Sequence, residues 1–300
     1  MPEMLVVDGL EMRFEVHGDG IPLVYTPGAF YRLESARPIA EALMPLGYQV
    51  LLWDRPNTGG SGLLFTGSHL LWLWADTLHR LLDQLGFRPA YVAGVANGLL
   101  ASLHFARRHP DDVKALVLIA ALTDDRAWWQ PVIDATFLGP ASVIEKEGMA
   151  VALDLNDGRW GVFDWPEQFE LAPQKRQRLL EMNPATAAAT LRAWAHAYST
   201  PGRLAFGGLT DQDLAAIDKP AIVFSGADEH HTLEHARMLQ QAMPRSELVD
   251  SAEYHGSAWQ DIVNEAEAKS SFEYLAATLA ARIDTFVRAL EERAGEPSVW

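Results

Sequence analysis

The stretch Ala90 to Ser102, Ala-Tyr-Val-Ala-Gly-Val-Ala-Asn-Gly-Leu-Leu-Ala-Ser, constrains this chain more than any other. A short apolar run, Tyr91 to Ala93, meets Gly94; Gly98 follows, and an apolar helical stretch then runs to Arg107-Arg108-His109-Pro110. The order is strand, sharp turn, helix. Glycines two before and two after a central residue suit a strained turn in which side chains would collide with the adjoining strand and helix. The central residue is Ala96, and a methyl group attacks nothing.

The rest of the chain alternates short apolar runs with helical ones. A hairpin is expected from Met4 to Val7 and Leu10 to Val16 through Asp8-Gly9. Further strands are expected at Ile21 to Tyr25, Tyr48 to Trp53, Val113 to Ile119, Ala221 to Ser225 and Glu247 to Val249. Helical spacing covers Ala36 to Met44, Ser68 to Leu85, Pro184 to Tyr198, Glu234 to Ala242 and Ser271 to Glu292. Ser68 is the expected N-cap of its helix and Gly86 the terminating glycine. Such alternation predicts an α/β chain, a mostly parallel twisted sheet covered by helices on both faces. From Leu122 to Leu209 the strand pattern stops. Five of the ten tryptophans fall there, Trp128, Trp129, Trp160, Trp165 and Trp194. One sheet-based core with a helical insert is therefore expected: core 1–122, insert 123–212, core 213–300.

Composition removes several functions. The formal charge of −16 disfavours nucleic acid and anionic membranes as partners. With no cysteine there is no disulfide, thiolate metal site or cysteine nucleophile. The N-terminus lacks the pattern of a signal peptide, and the apolar run Leu70 to Ala75 is too short to span a bilayer. These features predict a cytoplasmic protein; the tryptophan-rich stretch suggests a small apolar molecule as partner, and a homodimer is the assembly considered. No cofactor is expected. His230, His231 and His235 with Glu229 and Glu234 invite a metal reading, His231 and His235 sharing a helix face; a solvated helix explains them better, and no metal is expected.

Gly94-Val95-Ala96-Asn97-Gly98 resembles the nucleophile elbow of the α/β-hydrolase superfamily, and the resemblance extends over nearly the whole chain. It implies the α/β-hydrolase fold, with the helical insert standing where that family places its cap. The family order is nucleophile, acid, histidine. Here it implies Ala96 at the nucleophile position, the acid in Gly226-Ala227-Asp228-Glu229 and the base in the segment around His255. Gly226, Glu229, Thr232 and Glu234 match the family layout around the acid, which favours Glu229 and keeps Asp228 as its rival. The resemblance assigns the oxyanion donors to the N–H groups of Asn97 and of Ala29 or Phe30, with Ala29 preferred. Asp54 to Gly62 resembles the family's Asp-Xaa-Arg-Gly loop with Pro56-Asn57 departing from it, and is expected to shape the pocket wall.

The implied activity is serine-type cleavage of a carboxylic ester or lactone, or of a C–C bond next to a carbonyl, in a bulky apolar substrate. Three readings of Ala96 compete. It replaces a serine in an inactivated variant; it belongs to a natural ligand-binding protein; or the chain runs cofactor-free lyase or oxygenase chemistry needing only a base and an oxyanion hole. Retention of the elbow glycines, histidine and acid around an inert methyl favours the first.

Overall fold

The computed structural model describes residues 2–28, 31–121, 126–155, 174–198, 207–226, 231–253 and 265–295. In chain order its elements are β1 (Glu3–Val7), β2 (Leu10–His17), β3 (Ile21–Thr26), α1 (Arg37–Leu43), β4 (Tyr48–Trp53), α2 (Leu70–Leu85), β5 (Ala90–Val95), α3 (Asn97–Arg108) and β6 (Val113–Ile119). Helices α4 (Arg126–Ile133), α5 (Gly139–Glu147), α6 (Met149–Leu155), α7 (Gln174–Glu181), α8 (Pro184–Tyr198) and α9 (Asp211–Ala215) follow. The chain then forms β7 (Ala221–Phe224), α10 (Leu233–Ala242), β8 (Ser246–Val249) and α11 (Glu265–Gly295).

The described strands form one sheet in the order β1-β2-β4-β3-β5-β6-β7-β8. The first two pairings are antiparallel; from β4 onward every pairing is parallel. Parallel strands buried on both faces need apolar side chains at nearly every position, which is why their segments read as continuous apolar runs. The pleat divides those runs between two cores. Tyr48, Val50 and Leu52 of β4 join Tyr91, Ala93, Ala115 and Val117 against Ile39 and Leu43 of α1 and Leu279, Ile283 and Val287 of α11. Leu51, Trp53, Val92, Leu116 and Leu118 face Leu78 and Leu82 of α2 and Leu99 and Leu103 of α3. The phenol groups complete the α11 contact: Tyr48 Oη donates to Asp284 Oδ1 at 3.0 Å and Tyr91 Oη to Glu291 Oε1 at 2.7 Å.

Two local expectations need correction. Helix α2 begins at Leu70, and its N-cap is His69, not Ser68; His69 has extended backbone and makes no side-chain cap bond. The His69 ring stacks on Trp72, with centroids 4.6 Å apart, which keeps the chain extended one residue longer than a serine cap would. Helix α11 starts at Glu265, six residues before the expected Ser271. Gly86 does end α2, at φ 62°, where its N–H returns to Asp83 and Leu82 carbonyls. Among the described residues, no helix is long and apolar enough to cross a membrane.

A buried histidine ties Gly207 to α3. His104 of α3 is 1% exposed, and its Nε2–H donates to the Gly207 carbonyl at 2.8 Å. Burial, then the neighbouring His69 ring, pushes the His104 pKa down to about 3, and burial pushes that of His69 down to about 4. Both imidazoles are thus neutral in the native state where an unfolded chain, near 6.5, would already be protonated. This stability is complete above pH 6.5 and is lost as the pH falls toward the folded values. Between pH 7 and pH 4, denaturant unfolding should show a loss of about 3 kcal/mol from His104. His104→Gln, which keeps an N–H donor without a titrating ring, should flatten that slope.

Candidate active site

The elbow is built by two missing side chains. A Cβ on Gly94 would fall 2.2 Å from the Gly98 carbonyl oxygen and 2.6 Å from Ser102 Oγ. A Cβ on Gly98 would fall 2.1 Å from the Thr26 carbonyl oxygen and 2.5 Å from that of Pro27. Neither is possible without moving backbone. Strand β5, helix α3 and the end of β3 are therefore in main-chain contact, and the residue between them must turn sharply. Ala96 does so at φ 51°, ψ −115°, a conformation a non-glycine residue adopts only under constraint. Its N–H donates to the Ile119 carbonyl at 3.0 Å, and its own carbonyl accepts from Leu99 at 3.0 Å.

The result is a half-buried methyl group at the carboxyl end of a central parallel strand, the edge where open α/β sheets place their ligands. Asn97 is the first residue of α3, so its N–H has no acceptor within the helix. Gly28 lies alongside: a Cβ there would stand 3.7 Å from the Ala96 methyl carbon and 3.5 Å from the Val95 carbonyl oxygen. Position 96 and the segment after β3 thus share one small space. Ala29 and Phe30 themselves lie outside the described residues, as do Asp228, Glu229 and His255.

The described ends of the neighbouring strands β7 and β8 lie on one edge of the sheet. Ala120 N–H donates to the Phe224 carbonyl at 3.0 Å, Ser225 N–H to the Val249 carbonyl at 3.1 Å, and Ser251 N–H to Ser225 Oγ at 2.7 Å. Residues 226 and 253, the last described before the acid and histidine segments, therefore stand on the same sheet edge as Ala96, after β7 and β8. His231 precedes α10, whose N-cap is Thr232, so His231 and His235 do not share a helix face as expected.

The Asp54 to Gly62 loop does more than line a wall. Three consecutive residues leaving β4 hold the segment 26–33. Trp53 Nε1 donates to Thr26 Oγ1 at 3.0 Å, Asp54 Oδ1 accepts from Leu33 N–H at 2.8 Å, and Arg55 Nη2 donates to the Gly28 carbonyl at 2.7 Å. Asp54 is in turn paired with Arg13 Nη1 at 3.0 Å and accepts from Gly60 N–H at 2.8 Å. Helix α7 docks on the same loop: Lys175, 2% exposed, donates from Nζ to the Gly59 and Thr58 carbonyls at 2.7 and 3.2 Å. Trp194 of α8 is wholly buried against Phe65, ring centroids 4.8 Å apart, and so is core rather than pocket lining. The sequence marked Asp54 and Arg55 by resemblance; Lys175 carried no signal, because a lone lysine on a helix reads as solvated.

Among the described residues, one cluster carries metal-type donors, His79, His109 and Asp112, with donor atoms within 4.8 Å of one another. It sits at the far end of α3 from Ala96. The imidazoles are stacked, centroids 4.2 Å apart and planes within 6° of parallel. Each is already bonded to a carboxylate, His79 to Asp112 at 2.5 Å and His109 to Asp76 at 2.8 Å. An ion must lie near the plane of each ring that binds it, and two parallel planes share no such point. The cluster is a hydrogen-bonded histidine–carboxylate network.

The chain matches the model of the alpha/beta hydrolase fold family over residues 21–261. It belongs to that family. A Caulobacter sp. (strain K31) protein provisionally named carbamate hydrolase RutD is 27% identical over 270 residues, covering 87% of this chain and 93% of that one. For the Azorhizobium caulinodans protein of the same name, identity is 32% over 109 residues, only 36% of this chain and 40% of that one. Among solved structures, the enol-lactonase from Burkholderia xenovorans LB400 aligns with a TM-score of 0.54 at 19% identity, over 89% of this chain and all (100%) of that one. A meta-cleavage product hydrolase from Pseudomonas fluorescens IP01, solved as a serine-to-alanine mutant with acetates, aligns at 0.55 and 16%, over 89% of this chain and 98% of that one. At these identities the structural likeness concerns the fold.

The two glycine contacts and the strain at Ala96 make opposite predictions for substitution. Gly98→Ala should cost about 3 kcal/mol or more, since its clash is with backbone and cannot relax by a rotamer change. Ala96→Gly should stabilise by about 1 kcal/mol, because glycine adopts this backbone conformation without strain. Urea unfolding midpoints of the two variants beside the present chain check both signs.

Proposed function

We propose that this chain is the scaffold of a serine-type hydrolase acting on a carboxylic ester or lactone of a bulky apolar substrate, active when serine stands at position 96. The observation that carries the reading is the elbow. A strained, doubly glycine-flanked turn holds the side chain of residue 96 at the carboxyl edge of the sheet, beside the first N–H groups of α3. A hydroxyl at that point would be presented to a carbonyl carbon while the N–H groups of Asn97 and Ala29 receive the developing oxyanion. His255 would take the hydroxyl proton and return it to the leaving alcohol, and Glu229 would hold the imidazole in the required tautomer. The acyl group on residue 96 would then be released by water, activated by the same histidine.

The carbonyl chemistry named for the similar proteins supports the class: a carbamate, an enol-lactone and a meta-cleavage product. The chemical step does not by itself separate an ester from a lactone or a C–C bond next to a carbonyl, since each passes through attack at a carbonyl. The abundance of tryptophan between Leu122 and Leu209 in the sequence supports an apolar substrate.

A second reading has one observation in its favour, the Ala96 methyl itself. On that reading the chain binds its ligand without turnover, or uses the histidine alone as a base.

Ala96→Ser assayed on chromogenic esters, aryl lactones and an aryl carbamate separates the two. The expected outcome is hydrolysis at least about 10³-fold above the present chain, abolished again by His255→Ala in the same background. A serine variant as inert as the present chain, with both still binding ligand, gives the result to the second reading.

A further inference from the structure

Helix α3 opens on Asn97, and the helix makes no use of its side chain. The N-cap is Ala96, and no side chain caps the first turn. Asparagine serves a helix best as the cap itself, one position earlier, and is a poor helix former inside it. The carboxamide is not engaged elsewhere either: Oδ1 is buried and accepts no hydrogen bond. A buried acceptor left without a donor bears the full desolvation penalty of the group, so it calls for an explanation.

Two placements tie this oxygen to position 96. Adjacent Cα atoms stand about 3.8 Å apart, so in any rotamer Oδ1 lies within about 8 Å of the residue 96 Cα. Residues 97, 100 and 104 share one face of α3. Leu100 and His104 on that face are buried, and a Cβ on Gly207 would stand 3.5 Å from Leu100 Cδ1 and 3.7 Å from His104 Nε2. Asn97 continues this covered face to the elbow end of the helix, where Ala96 packs against the same apolar cluster as Leu100.

We propose that Asn97 is a specificity-determining residue whose Oδ1 accepts from an N–H carried on the scissile carbonyl carbon, the group that separates a carbamate from a simple ester. The backbone N–H of Asn97 faces the developing oxyanion, and its side chain selects the acyl group beside it. The inference deepens the hydrolase reading and rests on it for the reaction; the binding preference does not.

Phenyl carbamate and phenyl acetate have nearly the same shape and differ by NH2 for CH3 at the carbonyl. With no hydroxyl at position 96, their Kd values can be read at equilibrium by calorimetric titration of the present chain. Phenyl carbamate should bind about tenfold tighter. Asn97→Leu, similar in shape and without an acceptor, should bring that ratio to about one. Asn97→Asp keeps an acceptor oxygen and suits the first turn of a helix, and should restore the preference. The urea midpoint of Asn97→Leu should equal or exceed that of the present chain, because an unpaired buried acceptor is removed. A ratio near one in the present chain, a preference that survives Asn97→Leu, or a lowered midpoint in that variant overturns the proposal. Should Asn97→Leu not fold, the two ligands compared on the unsubstituted chain decide. The two readings fail separately. Ala96→Ser inert on both esters, with the binding preference intact, removes the hydrolase and upholds the recognition. Ala96→Ser cleaving both with equal kcat/KM, and no preference in binding, keeps the hydrolase and refutes the role of Asn97.

Discussion

Main chain pressed against main chain is the constraint from which the rest of this structure follows. With no Cβ on Gly98, helix α3 sits directly on the carbonyls of Thr26 and Pro27; with none on Gly94, the strand approaches the first turn of the helix that follows it. Those two contacts leave residue 96 only one way to turn. They also set the first free N–H of α3 and the segment after β3 around a single point. A turn of this kind is costly, and it persists because the strand above, the helix below and the neighbouring strand each fix it independently.

A second layer of support comes from the sheet itself. The strand order places β3 between β4 and β5, so residues leaving β4 stand beside the segment that leaves β3. Trp53, Asp54 and Arg55 use that adjacency to hold segment 26–33 by a hydroxyl, an amide and two carbonyls. Arg13 then neutralises Asp54, and Lys175 brings α7 onto the same loop. Asp54, Arg55 and Lys175 are buried, and each is bonded to backbone or to an opposite charge. Buried charges without such partners would cost several kcal/mol each, so this network also makes the local geometry hard to deform.

The parts of this architecture that depend on periodicity and glycine were legible in the sequence. Strand positions from Met4 to Val249, the described helices between Arg126 and Tyr198 and the turn at Ala96 all follow from apolar alternation and from where a Cβ cannot fit. Cap chemistry was less legible. Ser68 has the right side chain for an N-cap, and the stacking of His69 on Trp72 overrides it, a contact that no local pattern encodes. Long-range polar contacts were not legible at all. The bonds from Arg55 to Gly28 and from Lys175 to Gly59 join residues 27 and 116 positions apart, and only the strand order brings them together. The acid and histidine positions came from a family resemblance and lie outside the described residues.

On the proposed function, position 96 is a nucleophile's position. A fluorophosphonate bonds covalently only to a hydroxyl that a neighbouring base has activated and that oxyanion donors face. Labelling Ala96→Ser with such a probe, then locating the adduct by mass spectrometry of proteolytic peptides, tests the claim without knowledge of the substrate. The account predicts one adduct, on the peptide containing residue 96, absent from the present chain and from Ala96→Ser carrying His255→Ala. No adduct on that peptide, or an adduct that survives loss of His255, would contradict it.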